Sequence, residues 1–238
     1  MLRVELVSMR FGGLQALEHV EWEIAERGLA AIIGPNGAGK TTLFNIIAGT
    51  QAPSEGRIRF LGGDITKLGP ERRCDLGIAR TFQVPRPFTS LTVLDNVAVG
   101  FLDASRNVAD ARRSALDVLE MLQMGAHAAT RAGSLSIGLR KRLELAKALS
   151  TRPKLLLLDE VMGGLHGSEV DAMIETVRDI HAGGVTIVLI EHVLAAVMAL
   201  AENVTVLDQG KSIASGLPRD VMRNRAVVDA YLGDELVA

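Results

Sequence analysis

The chain has 238 residues, one cysteine, a formal net charge of −2 and 48% hydrophobic content. The single Cys74 excludes a disulfide scaffold and a cysteine zinc cluster, and near-neutral charge lacks the basic footprint of a general nucleic-acid binder, so no nucleic-acid partner is expected. Apolar runs such as Val193–Ala201 fall far short of the ~20 residues of a membrane span; the alternating start MLRVELVSMRF has no signal-peptide block, so an intracellular, soluble chain is expected.

Leu2, Val4 and Leu6 alternate with Arg3 and Glu5, and Val20, Trp22 and Ile24 alternate with Glu21 and Glu23. Both stretches read as half-buried strands. Leu29–Ile33 is apolar throughout, the pattern of a strand buried on both faces of a parallel sheet. It runs into a glycine-rich loop, after which Leu43–Ala48 reads as a helix. Pro53-Ser54-Glu55-Gly56 signals a turn and Arg57–Leu61 a short strand. Thr92-Val93-Leu94-Asp95 resembles a capping box. Residues 107–124 carry Leu116, Leu119 and Leu122 at helical spacing, and Gly125 is expected to stop that helix. Lys141–Ser150 reads as a further helix closed by Pro153, and Arg140-Lys141-Arg142 as a solvated helix face.

Leu155–Leu158 is a second fully apolar strand. Val170, Met173, Ile174, Val177 and Ile180 give an amphipathic helix ended by Gly183-Gly184. Val185–Ile190 is a third buried strand, Val193–Ala201 a helix, Val204–Leu207 a strand and Asp208–Lys211 a turn. Buried strands alternating with amphipathic helices predict an α/β fold with a mostly parallel core sheet. The alternating strands near the start predict an added antiparallel β layer. The helical stretch at about 84–150 predicts a helical subdomain inserted in a single domain spanning 1–238.

Gly34-Pro35-Asn36-Gly37-Ala38-Gly39-Lys40-Thr41 fits G-x-x-x-x-G-K-[ST] and lies between a buried strand and a helix. From average residue usage the pattern arises by chance in on the order of one chain in a hundred. Glycines let the loop wrap closely enough for backbone N–H groups to reach phosphate oxygens, and the following helix adds its positive end. Lys40 supplies a point charge to the β- and γ-phosphates, Thr41 a hydroxyl ligand for Mg²⁺, and Thr42 a contact to the α-phosphate. The core is therefore read as that of a P-loop NTPase that binds a nucleotide, with the reaction left open. Leu155–Leu158 ends in Asp159-Glu160. Ligands of open α/β sheets bind at the carboxyl ends of strands, which places Asp159 to hold Mg²⁺ through water and Glu160 to polarise the attacking water as general base.

With these residues in order, the chain resembles the ATP-binding subunit of ABC transporters. Arg80-Thr81-Phe82-Gln83 resembles that family's Q-loop, Leu135-Ser136-Ile137-Gly138-Leu139 its signature loop, Gly163-Gly164-Leu165-His166 its D-loop and Ile190-Glu191-His192 its H-loop. Phe11 occupies the place of the aromatic that stacks on adenine. The resemblance implies that two such domains pair head to tail around two ATP molecules. It places Ser136 and Gly138 at the γ-phosphate bound to the other subunit, Gln83 at Mg²⁺ and the attacking water, and His192 at the γ-phosphate and Glu160. It implies a homologous ATP-binding subunit, an integral-membrane permease and, indirectly, a solute-binding protein as partners, with the chain peripheral on the cytoplasmic face of the membrane.

A narrower resemblance, to the branched-chain amino-acid importers, rests on Phe11–Leu17, Ala79–Gln83, Leu189–His192 and Ala230-Tyr231-Leu232-Gly233. The chain departs from the family pattern at Ile137 and Leu139 in the signature loop. It departs again at Val161 and Met162 after the acidic pair, at His166 in the D-loop and at Val193 after the H-loop. These departures leave open a regulatory subunit with weak hydrolysis in a heterodimer; a lipid or lipopolysaccharide export ATPase is the other alternative.

Overall fold

The two hydrophobic patterns of the chain build two different sheets. A computed structural model describes residues 1–102 and 107–235. In chain order the first half contains β1 (Leu2–Phe11), β2 (Leu14–Ile24), β3 (Leu29–Ile33), α1 (Lys40–Ala48), β4 (Glu55–Phe60), β5 (Gly63–Asp64), α2 (Pro70–Asp75), β6 (Ile78–Arg80), α3 (Val93–Ala98) and α4 (Val108–Met121). The second half contains α5 (Ile137–Ser150), β7 (Leu155–Asp159), α6 (Ser168–Ala182), β8 (Thr186–Ile190), α7 (Leu194–Leu200), β9 (Asn203–Asp208), β10 (Lys211–Gly216), α8 (Pro218–Val221) and α9 (Arg225–Glu235). The alternating strands form an antiparallel sheet in the order β2-β1-β4-β5. The apolar strands form the core sheet, β10-β9-β3-β8-β7-β6, parallel except for the edge strand β10. The expected mostly parallel α/β core with an antiparallel N-terminal layer is the observed architecture.

The uninterrupted apolar runs have a physical reason: each core strand is covered on both faces. Ala30, Ile32, Leu155, Leu157, Val188 and Ile190 point to one side, where they pack with Phe44, Ile46 and Ile47 of α1 and with Val4, Trp22 and Ile58 of the antiparallel sheet. Leu29, Ala31, Ile33, Leu156, Leu158, Ile187 and Leu189 point to the other, against apolar residues of α3 to α7. Each such side chain taken out of water contributes about 1.5–3 kcal/mol. Helix α1 is therefore clamped between two sheets, and the loop that begins it is anchored at both ends.

The alternation of β1 breaks where periodicity alone keeps it going. Leu6 is exposed, with a left-handed φ of 49°, and the register slips so that Val7 takes the inward place. Gly56 makes room for this bulge: a Cβ there would lie 2.4 Å from the Leu6 carbonyl oxygen. A second departure concerns α4. Leu119 and Leu122 are buried but Leu116 is exposed, and the helix ends at Met121, before Gly125, with Gln123 at φ 57°.

Thr92 does cap α3: its Oγ1 accepts the Asp95 N–H at 3.0 Å and donates to Asp95 Oδ2 at 2.8 Å. Asn107 caps α4 in the same way through the Asp110 N–H. From α3 through α5 the described chain is helices and turns, apart from one bridge pairing Thr92 with Arg131.

Arg73, in α2, is fully buried. Its guanidinium donates to five carbonyl oxygens: Leu68 from Nε, Ile46 and Ile47 from Nη1, Ile65 and Thr66 from Nη2. Two of those carbonyls belong to the last turn of α1, the partially negative end of that helix. Burial holds the Arg73 pKa down, at about 10, so the group stays cationic at neutral pH.

Candidate functional site: a phosphate loop beneath two strand ends

In the core sheet β3 sits between β8 and β9, both supplied from the second half of the chain. A crevice opens where chain order reverses beyond the carboxyl end of such a strand. The loop 34–39 fills it. Gly39 has φ 101°, and a Cβ there would lie 2.6 Å from the Ala16 carbonyl oxygen, so only glycine lets β2 pack on the loop. As N-cap of α1 it brings no side chain to the first-turn amides, which leaves them for an anion. Lys40 is 6% exposed, and its Nζ donates to the Gly34 and Pro35 carbonyls at 2.7 and 2.8 Å. That bond pair arches the loop around a central ammonium.

Above the loop is a cleft of about 380 Å³. Phe11, Asn36, Gly37, Gly39, Lys40, Thr41 and Thr42 line it together with Gln83, Glu160 and His192. The sequence had spread these residues over most of the chain. Phe11 is partly exposed at the rim, available as a flat apolar face. Ser136 and Gly138 do not line this cleft. Ser136 caps α5, accepting the Leu139 N–H, and the Leu139 side chain packs against the core.

Glu160 is the centre of the polar network. One carboxylate oxygen accepts from Gln83 Nε2 at 2.5 Å, and the other meets His192 Nε2 at 2.8 Å. The strands explain the convergence: β7 and β8 are parallel neighbours with Asp159 opposite Ile190, so Glu160 and the residues after Ile190 leave the sheet side by side. Glu160 itself has φ 49°, a left-handed conformation that costs a non-glycine residue about 1–2 kcal/mol.

Asp159 is 3% exposed and does not line the cleft. Its Oδ2 pairs with Arg80 Nη2 at 2.6 Å, and its N–H donates to Thr81 Oγ1. Arg80 also donates to Asn45 Oδ1 of α1. That carboxylate is paired with Arg80 and lies off the cleft, so it offers no direct ligand to a cation there. With Thr41 and Gln83 at the cleft surface, the oxygen donors present fit Mg²⁺ accompanied by a phosphate.

Three charged residues were missed or misread in the sequence. The motif that contains Arg80 gives that residue no role of its own. Lys141 is not on a solvated face: it is 6% exposed and donates to the Glu160 carbonyl oxygen at 2.7 Å. Burial lowers its pKa, opposed by Glu191 and Glu160. Glu191 is 2% exposed; its Oε1 accepts the Met162 N–H at 2.9 Å and its Oε2 is buried without a partner. Burial pushes the Glu191 pKa up to about 7, against the Met162 N–H and the Lys141 ammonium, which pull it down.

A pH dependence follows. The Glu191 carboxyl ionises near 4.5 when unfolded and near 7 when folded. Below 4.5 it contributes nothing. Between 4.5 and 7 only the unfolded state loses the proton, so stability falls as pH rises, by up to ~3 kcal/mol. Glu191→Gln cannot ionise, so its advantage over the natural protein grows by that amount between pH 4.5 and pH 7. Denaturant unfolding of both proteins at pH 5 and pH 8 measures it; an equal difference at the two pH values rules it out.

Comparison with known proteins is consistent with this geometry. The family described as "ABC transporter" matches residues 17–163, and "Branched-chain amino acid ATP-binding cassette transporter" matches residues 211–237. The chain is 37% identical to the high-affinity branched-chain amino acid transport ATP-binding protein BraF of Pseudomonas aeruginosa, over 98% of each chain. It is 35% identical, again over 98% of each, to the protein LivG of Escherichia coli, which carries the same description. Among solved structures it matches the ADP conformation of an ATP-binding cassette of an ABC transporter, with TM-score 0.89, 32% identity and 98% of each chain covered. A dimeric bacterial ABC transporter cassette matches with TM-score 0.84 and 25% identity, over 92% of this chain and 99% of that one.

Proposed function

The chain belongs to the ABC transporter family, as an ATP-binding subunit homologous to branched-chain amino acid importer ATPases, and from that premise we propose that it hydrolyses ATP to drive a membrane permease importing branched-chain amino acids or related small amides. The observation that carries hydrolysis is the Glu160 carboxylate, held by Gln83 and His192 over the phosphate loop. Glu160 takes the proton of the attacking water. His192 steadies the charge that develops on the γ-phosphate, and Lys40 and the loop amides hold the phosphates in place. Thr41, Gln83 and, through water, Asp159 would hold Mg²⁺, which would supply Lewis-acid charge to the phosphates. Phe11 stacks on the adenine.

No helix among the described residues is long and apolar enough to cross a membrane. We read the subunit as a peripheral partner of the permease, on its cytoplasmic face, with a solute-binding protein delivering the cargo; the names of the relatives support the transporter assignment. Ser136 and Gly138, outside this chain's own cleft, serve the γ-phosphate bound to a second, homologous subunit. The helical segment near 84–130 receives the permease's cytoplasmic coupling helix. The cargo assignment is supported by the match at residues 211–237 and by the names of the relatives.

Leu139 and the exposed His166 favour a second reading, a regulatory subunit with a weak composite site in a heterodimer. Purification of the intact membrane assembly separates the readings. Phosphate release that rises with leucine, isoleucine or valine in the presence of the co-purified solute-binding protein is the expected result. Turnover that ignores these amino acids overturns the cargo. Turnover lost only when the partner subunit's base is removed identifies the regulatory reading.

A further inference from the structure

Among the described residues, Lys141 and Glu191 are buried ionisable groups beside Glu160 that do not line the cleft. Apolar side chains of similar volume in their places would ordinarily be at least as stable. What the two share is one short piece of backbone. Lys141 Nζ donates to the carbonyl oxygen of Glu160, which also accepts the Gly163 N–H at 3.2 Å, and Glu191 Oε1 accepts the N–H of Met162, so the peptides on the two sides of Val161 are both held. The N–H of Glu160 is fixed as well, by the Ile190 carbonyl at 2.9 Å. The segment 160–162 is thus tied before, at and after the residue whose φ is 49°. A left-handed glutamate persists only where its surroundings over-determine it.

We propose that Glu191 is a positioning residue, which with Lys141 clamps the peptides on both sides of Val161 so that Glu160 keeps the backbone twist that aims its carboxylate at Gln83 and His192. Without the clamp the segment relaxes towards ordinary φ values and the carboxylate leaves its two partners. The charge balance agrees: Lys141 lies between the fields of Glu160 and Glu191 and is attracted by both.

This role rests on Glu160 being the hydrolytic carboxylate. The test compares ATP hydrolysis by the assembled transporter carrying the natural chain, Glu191→Met and Glu191→Gln. Methionine fills the volume without accepting the N–H; glutamine keeps the acceptor. The expected result for E191M is a fall in kcat of at least about tenfold with KM for ATP within about twofold, since a misaimed reacting group is costly while phosphate contacts persist. E191Q is expected to recover kcat to within about threefold of the natural protein. Hydrogen exchange at the Met162 amide rises in E191M and stays protected in E191Q.

In a Glu160→Gln background E191M adds no further loss, because it acts only through Glu160. If E191M does not assemble, Lys141→Met reads the clamp from its other side and must show the same fall in kcat at unchanged KM. Natural kcat in E191M or K141M, an E191Q as slow as E191M, or a further loss in the E160Q background each overturns the positioning role alone. A natural complex that releases no phosphate overturns the proposed function, and this role with it.

Discussion

Replacing Glu160 by glutamine is expected to leave ATP bound and to lower its hydrolysis by about 10²–10⁴-fold, the range by which a positioned general base accelerates such a step. The substitution is nearly isosteric. Its amide oxygen can still accept from Gln83 Nε2, and the lobe facing His192 stays filled. Lys40, the loop amides and Phe11 are untouched, so the nucleotide keeps its contacts. What disappears is the capacity to take a proton from water. Nucleotide affinity and single-turnover hydrolysis, measured side by side, test this. Turnover like that of the natural protein would mean that another group activates the water, and the cleft offers His192 as the one to try next.

The second large effect falls far from the cleft. Arg73→Met removes five hydrogen bonds at once from a fully buried site. Each buried carbonyl left without a donor costs about 1–3 kcal/mol. Ile46 and Ile65 keep second donors, from Gly49 and Leu68, so the loss is concentrated at Ile47, Leu68 and Thr66. The expected total is ~4 kcal/mol or more, a large share of the 5–15 kcal/mol that holds an ordinary domain. For a chain of this size that lowers the melting temperature by roughly 10 °C. Lysine recovers only part, because one ammonium has three donors and no planar fork. The guanidinium is also closely packed: a Cβ at Gly49 would lie 2.8 Å from Arg73 Nε. Unfolding midpoints of R73M and R73K decide the matter, and a midpoint for R73M within a degree or two of the natural protein sinks it.

The core strands and the phosphate loop were legible in the sequence for one reason. Burial on both faces leaves an uninterrupted apolar run, and a phosphate cradle needs glycines at fixed spacing. β6, β10 and α2 were not legible. β6 has three residues, β10 is a half-exposed edge with little apolar content, and the six residues of α2 carry no apolar period. The same limit hid the buried charges. Lys141 sits in a run of three basic residues that reads as a wet surface, yet α5 turns it towards Glu160 while Arg140 and Arg142 face elsewhere. Glu191 stands in the sequence only as the neighbour of His192, and nothing in the sequence singles out Arg73. Their partners are backbone groups, and no side-chain pattern reports which carbonyl or amide a buried charge will find. The cleft was legible as a set of residues; the clamp beneath it was not.

The parallel pairing of β7 with β8 divides the partners of Glu160 into two kinds. Glu160 and His192 stand at the ends of two interior strands, so their separation is fixed by the same ladder that holds the core. Gln83 stands three residues beyond β6, at the open edge of the sheet, between the exposed side chains of Phe82 and Val84. The two oxygens of one carboxylate are therefore held from unlike places, one from inside the sheet and one from its rim. Glu160 thus has one partner set by the interior ladder and one set by the exposed edge of the sheet.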